Sequence, residues 1–205
     1  MQDQLIHVLS IKGFAKEEIL AAALGLEVSD VELMAKSLIE EGLLESSRIG
    51  RKLTEKGKAA AAKNLEDVRE KADLAALETF YLAFIPINQD YKKGVSSWQI
   101  KTVGELVEPN DHEDAEYDQQ VLTEMFKEHD SLKHLVATHL ASCPLLGDYA
   151  RRLEKAYANV SAGDHQFVAG ALIDSYHTVW FEFHEALIRL SGRDRATEAA
   201  AGRAD

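Results

Sequence analysis

Residues 48–62 read RIGRKLTEKGKAAAA, a basic segment of strand length that runs into a new helix at Leu53-Thr54-Glu55-Lys56-Gly57. Its meaning comes from what precedes it. Residues 4–12 place Leu5, Ile6, Leu9 and Ile11 at helical spacing before Gly13, and residues 15–24 form a second short helical pattern closed by Gly25. Ser29 reads as the N-cap of a third helix, with Glu32 completing a capping box. That helix buries Val31, Met34, Leu38 and Ile39 and stops at Gly42. Leu43 and Leu44 then lead into a turn at 46–50 and a returning strand at 51–53. The expected order is three compact helices followed by a basic hairpin.

The chain has 205 residues, 46% hydrophobic and 28% charged, enough for one or two globular domains with a core of useful size. No apolar run approaches the ~18 residues that span a bilayer, and the N-terminus lacks a basic region ahead of an apolar one. The expectation is a cytoplasmic protein without membrane contact. A single cysteine, Cys143, excludes an internal disulfide and a multi-cysteine zinc site, and reads as a buried, inert thiol. The net charge of −12 is unevenly spread. Residues 1–63 carry nine basic and ten acidic side chains, whereas residues 64–205 carry fourteen and twenty-five. The acidic second part is expected to stay away from nucleic acid.

From Thr54 a long helical pattern runs up to Pro86, which should end or kink it. A further helix covers 88–100, and Gly104–Asn110 reads as a linker. The pattern then predicts helices over 112–129, over 131–142 with Asp130 as cap, over 144–160, and over 165–190 with Gly192 as stop. The expected organisation is mainly α: a unit of three helices and a short β wing over 1–63, an acidic all-α bundle over 64–195 for dimerisation or effector binding, and a frayed tail over 196–205.

The segments KSLIEEGLLES (36–46) and KLTEKGKAA (52–60) resemble the winged helix-turn-helix domain of bacterial regulators, the MarR type in particular. The resemblance covers about the first third of the chain and implies a transcriptional regulator, a homodimer, that binds double-stranded DNA. It places Arg48, Arg51 and Lys52 in the wing, Lys56 and Lys58 on the next helix, and Ser29 and Lys36 on the recognition helix. The recognition helix departs from that pattern. It carries Asp30, Glu32, Glu40 and Glu41 and has no Arg, Asn or Gln for bidentate base contacts. The same residues therefore admit a second reading, a winged helix that docks a protein partner, with the wing cations paired to Glu40, Glu41 or Glu45. Segments 88–99, 110–118 and 174–185 are similar to uncharacterised bacterial helical proteins, which implies no activity.

Seven of the eight histidines lie within 112–184. Asp174, His177 and His184 fall at helical spacing, and His112, Asp114 or His134 could add a further metal ligand, but the diagnostic metal spacings are missing. The expected reading is half-buried histidines in a bundle, with no metal and no cofactor. Trp98, Tyr176, His177, Trp180 and His184 could together line a cavity for a small-molecule effector between helices. No nucleophile has a positioned base, so no catalytic residue and no enzymatic activity is expected.

Overall fold

A computed structural model describes residues 1–104, 106–139 and 144–203. The N-terminal unit runs α1 (Gln2–Lys12), β1 (Phe14–Ala15), α2 (Glu17–Leu24), α3 (Val28–Glu40), β2 (Leu44–Ser47) and β3 (Gly50–Leu53). The three strands form one antiparallel sheet in the order β1-β3-β2, with Phe14 opposite Lys52 and Leu44 opposite Leu53. Its core gathers Leu5, Leu9, Leu20, Val31, Leu38 and Leu53. The expected second helix begins two residues late, because Phe14 and Ala15 are taken up as the edge strand. The capping box at Ser29 does not form either. Gly25, in the left-handed region at φ 69°, closes α2, and α3 starts at Val28 with Glu27 as its cap residue. Ser29 therefore lies inside the first turn.

The Leu-Thr-x-x-Gly sequence has a steric explanation. Thr54 caps α4 (Glu55–Lys71), its hydroxyl accepting from the Gly57 amide at 3.1 Å and donating to the Gly42 carbonyl at 2.7 Å. A Cβ on Gly57 would lie 2.0 Å from the Leu43 carbonyl oxygen, so only glycine lets α4 seat against the chain entering the hairpin. At the hairpin, a Cβ on Gly50 (φ 135°) would meet the Ala15 carbonyl oxygen at 2.3 Å. Both glycines hold backbone against backbone.

The second part departs from the sequence expectation in five places. The long helix breaks at Ala72, which turns extended, and Asp73 caps α5 (Leu74–Gln99) by accepting from the Ala75 and Ala76 amides. α5 then passes straight through Pro86. Pro86 and Leu82, the residue whose carbonyl it leaves without a helical donor, are both exposed, on the side of α5 away from the core. The linker at 104–110 is instead part of a hairpin, β4 (Ile100–Val103) with β5 (Leu106–Pro109), so the bundle is not wholly helical. α6 (Ala115–His139) continues through Asp130, because Met125, His129, Leu132 and Val136 keep one face buried on both sides of it. After α7 (Leu145–Ser161), the last expected helix is split into α8 (Gln166–Ala169) and α9 (Tyr176–Leu190), with Ser175 capping the latter.

The expected tail contains a further helix. Residues Arg195–Ala200 form α10, and Glu198 is buried, accepting from the Tyr81 hydroxyl at 2.5 Å and the Arg203 Nε at 2.6 Å. The hydrogen bond from Arg203, aided by Tyr81 and by the charges of Arg203 and Arg193, holds its carboxyl at about 2. The bundle core is aromatic, built on Phe80, Phe84, Tyr91, Tyr176, Trp180 and Phe183. Among the described residues no helix is long and apolar enough to cross a membrane. Cys143 and the expected end of the helix over 131–142 lie outside the described residues.

Candidate functional site

The residues assigned to a groove or a phosphate by the sequence lie on the exposed face of α3, on the hairpin beside it and at the start of α4. Ser29 and Lys36 are both exposed on α3. They share that surface with Asp30, Glu32 and Glu40, and with Leu33, 69% exposed in the middle of the helix. Val28 is also exposed at the start of the helix. An apolar anchor ringed by carboxylates is a poor match for a phosphate backbone.

The hairpin cations are largely committed. Arg51 donates through Nε to Glu17 at 2.5 Å and through Nη1 to the Ser46 hydroxyl. Lys52 pairs with Glu45 across the strands at 2.9 Å, and Lys58 with Glu55 one turn away at 2.7 Å. Lys56 donates to the Glu41 carbonyl at 2.7 Å, in the loop that ends α3. Arg48 sits exposed at the hairpin tip next to Ile49, and no ion pair engages it among the described residues. Exposed pairs of this kind add little stability. Their consequence is electrostatic: Arg51, Lys52, Lys56 and Lys58 each have a carboxylate or carbonyl already beside them.

The N-terminal unit is fastened to the bundle through charges. Lys12, at the end of α1, reaches Glu182 at 2.5 Å and Asp174 at 3.2 Å. Arg152 of α7 makes a two-pronged contact with Asp174 at 2.7 and 2.8 Å and a further bond to Glu182 at 2.7 Å. Burial alone would raise the Asp174 carboxyl, but the hydrogen bonds and charges of Arg152 and Lys12 hold it below its ordinary value. Two cations and two anions close the cluster. His7 and Tyr149 meet beside it, Nε2 to hydroxyl at 2.9 Å. Burial, followed by the charges of Arg189 and Arg152, lowers His7 to about 4. The sequence offered one signal for this cluster, a charged residue at 152 on the otherwise apolar face of α7.

Asp174 therefore stands outside α9 and is bound by cations, so the helical spacing expected of Asp174 and His177 does not exist. Among the described residues no group of three His, Cys, Asp or Glu side chains could hold a metal ion. The expected effector cavity is only partly assembled. His177, Trp180 and His184 line one cleft of about 280 Å³ between α5 and α9. Tyr176 instead lies in the core, its hydroxyl 3.0 Å from His129 Nδ1. Trp98 packs against His112 with the rings tilted at 38° and centroids 4.4 Å apart and meets His165 edge-on at 5.6 Å, beside a network in which the buried Asp118 binds Asn110 at 2.7 Å and His112 at 2.9 Å. A larger cavity, about 870 Å³, lies elsewhere, between the hairpin, α4 and Arg189, with Phe14, Ile49 and Leu65 among its walls.

No family model, curated protein or solved structure matches this chain. Function therefore rests on the arrangement of its own residues.

Proposed function

We propose that the N-terminal unit is a docking module for a protein partner, carried on the helical bundle, and that its α3 face is the contact surface. The observation that carries this reading is the pairing of the hairpin cations, Arg51 with Glu17 and Lys52 with Glu45, beside an α3 surface that is acidic around an exposed Leu33. A partner suited to it presents an apolar pocket rimmed by lysine or arginine. Exposed apolar surface rimmed by polar residues marks protein contact sites, and Val28 and Leu33 supply it here.

A second reading, a homodimeric DNA-binding regulator with an effector site in its bundle, is favoured by the helix order ahead of the hairpin and by the unengaged Arg48 at its tip. One titration separates the two. Genomic DNA fragments are titrated into the full chain at low salt, with Arg51→Ala/Lys52→Ala as comparison. The docking reading expects no salt-sensitive binding by either protein. Binding that weakens steeply with salt and is lost in the double variant would overturn it in favour of the regulator.

A further inference from the structure

A cleft of about 300 Å³ opens where the N-terminal unit meets the bundle, between α2, α7 and the chain that leads from α8 to α9. Its walls are largely apolar: Ile19 and Ala22 come from α2, Phe167 from α8 and Ile173 from the segment that follows. Leu172, 84% exposed, stands among them, an apolar side chain left in water beside an apolar cleft. The walls are already tied to one another. Arg151 donates to the Ala23 carbonyl at 2.9 Å, which fastens the end of α2 to α7. Asp174, at the close of the connecting segment, is gripped by Arg152 and Lys12.

Charge sets this cleft apart. In the cavity beside the hairpin, Lys52 and Lys58 pair with Glu45 and Glu55, which line the same cavity. In a cavity between α5 and α6, Lys93 and Lys127 pair with Asp90 and Glu124 in the same way. At the α2–α7 cleft, Arg152 and Asp174 also answer each other, at 2.7 and 2.8 Å. Two further charges in its wall do not. Lys155 stands three residues beyond Arg152 on α7, and Glu18 lies in the first turn of α2. Both are exposed, and no hydrogen bond or ion pair engages the side chain of either among the described residues. One open cation and one open anion thus flank an apolar cleft, each carried by a different helix.

We propose that this cleft binds a small zwitterion with an apolar body, the chemistry of an apolar amino acid. Its carboxylate lies against the Lys155 ammonium and its amine against the Glu18 carboxylate. Its side chain rests among Ile19, Phe167 and Ile173 and covers Leu172. Charge complementarity selects the class. An anion with the same body would meet Lys155 but set its carboxylate near that of Glu18, and a cation would suffer the reverse. Size agrees: about 300 Å³ is at the lower end of small-molecule sites, and the meeting of two units is a common place for one. Such a ligand touches α2 and α7 at once. The proposal does not depend on what the α3 face docks against.

The test is calorimetric titration of the full chain with L-leucine and three comparison probes. 4-Methylpentanoate is leucine without its amine, 3-methylbutylamine is leucine without its carboxylate, and glycine keeps both charges without the apolar body. Saturable leucine binding is expected, at least fivefold tighter than either single-charge analogue and at least tenfold tighter than glycine. Glu18→Gln and Lys155→Gln should each weaken it about fivefold. Both side chains are exposed and make no bond, so neither change threatens the fold. Lys71→Gln, the same loss of charge on α4, should leave binding within twofold. An analogue or glycine binding as tightly as leucine would overturn the proposal. So would insensitivity to either substitution at the cleft, or no saturable response to leucine.

Discussion

Lowering the pH should loosen this protein through His7. The ring is lodged where α1 meets the bundle, against the Tyr149 hydroxyl and near Arg152 and Arg189, and its pKa is lowered to about 4. An unfolded histidine titrates near 6.5. A folded-state value depressed below the unfolded one means that the neutral ring is required in the fold. The contribution is therefore fully present above pH 6.5 and is lost as the pH falls towards 4. Between pH 7.5 and 5.5 the linkage amounts to about 1.4 kcal/mol, an upper figure because one edge of the ring meets solvent. The assay is urea unfolding followed by helical circular dichroism at both pH values, for the native chain and for His7→Gln, which keeps a hydrogen-bonding side chain but cannot titrate. Other groups titrate in this window, so the difference between the two proteins is the measurement. The native chain should lose about 1 kcal/mol more than the variant across the interval. An identical loss in both, or a His7 titration near 6.5 observed by NMR in the folded protein, would refute the reasoning.

Two further outcomes follow from the packing. Gly57→Ala should destabilise the chain by about 1–3 kcal/mol in the same unfolding assay, despite alanine's higher helix propensity, because the new Cβ would press on the Leu43 carbonyl. Arg152→Met should cost about 3–5 kcal/mol, since it leaves Asp174 and Glu182 sharing Lys12 alone. Combining it with Asp174→Asn should recover part of that loss. A double variant no more stable than Arg152→Met alone would show that the cluster is not coupled as its geometry requires.

The N-terminal unit was legible because its signals are local. Gly25, Gly42, Gly50 and Gly57 each mark a turn or a close approach, and the apolar residues between them keep one period. The bundle was less legible for physical reasons that differ from place to place. The run around Ala72 and Asp73 is made almost wholly of good helix formers, so propensity runs on where the Asp73 cap makes a break. Pro86 and Asp130 misled in the other direction, because each is exposed on a helix whose buried face continues past it. At the C-terminus, an alanine-rich polar stretch carries no sign that Glu198 will find Tyr81 more than a hundred residues earlier. The candidate sites show the same limit. Sequence located the cations of the hairpin, but their carboxylate partners depend on strand register and on α2, as with Arg51 and Glu17. Three members of the expected effector cavity lie together because they share one face of α9; Trp98 and Tyr176 were drawn elsewhere by stacking and core packing.

The placement of α1 has a consequence for how this chain can be divided. Its Leu5 and Leu9 build the N-terminal core, while Ile11 packs on the bundle core and Gln4, His7 and Lys12 bond to Asp148, Tyr149, Asp174 and Glu182. From the bundle, Arg151 donates to the Ala23 carbonyl and Arg189 to the Ser10 carbonyl. α1 is thus a party wall, and the boundary expected at residue 63 falls inside α4. A cut there would shorten α4 and separate Lys12 from Asp174 and Glu182. The first sixty residues are a module in sequence and a component in the molecule. A partner of the kind proposed for the α3 face would therefore meet a unit tied through α1 to the bundle.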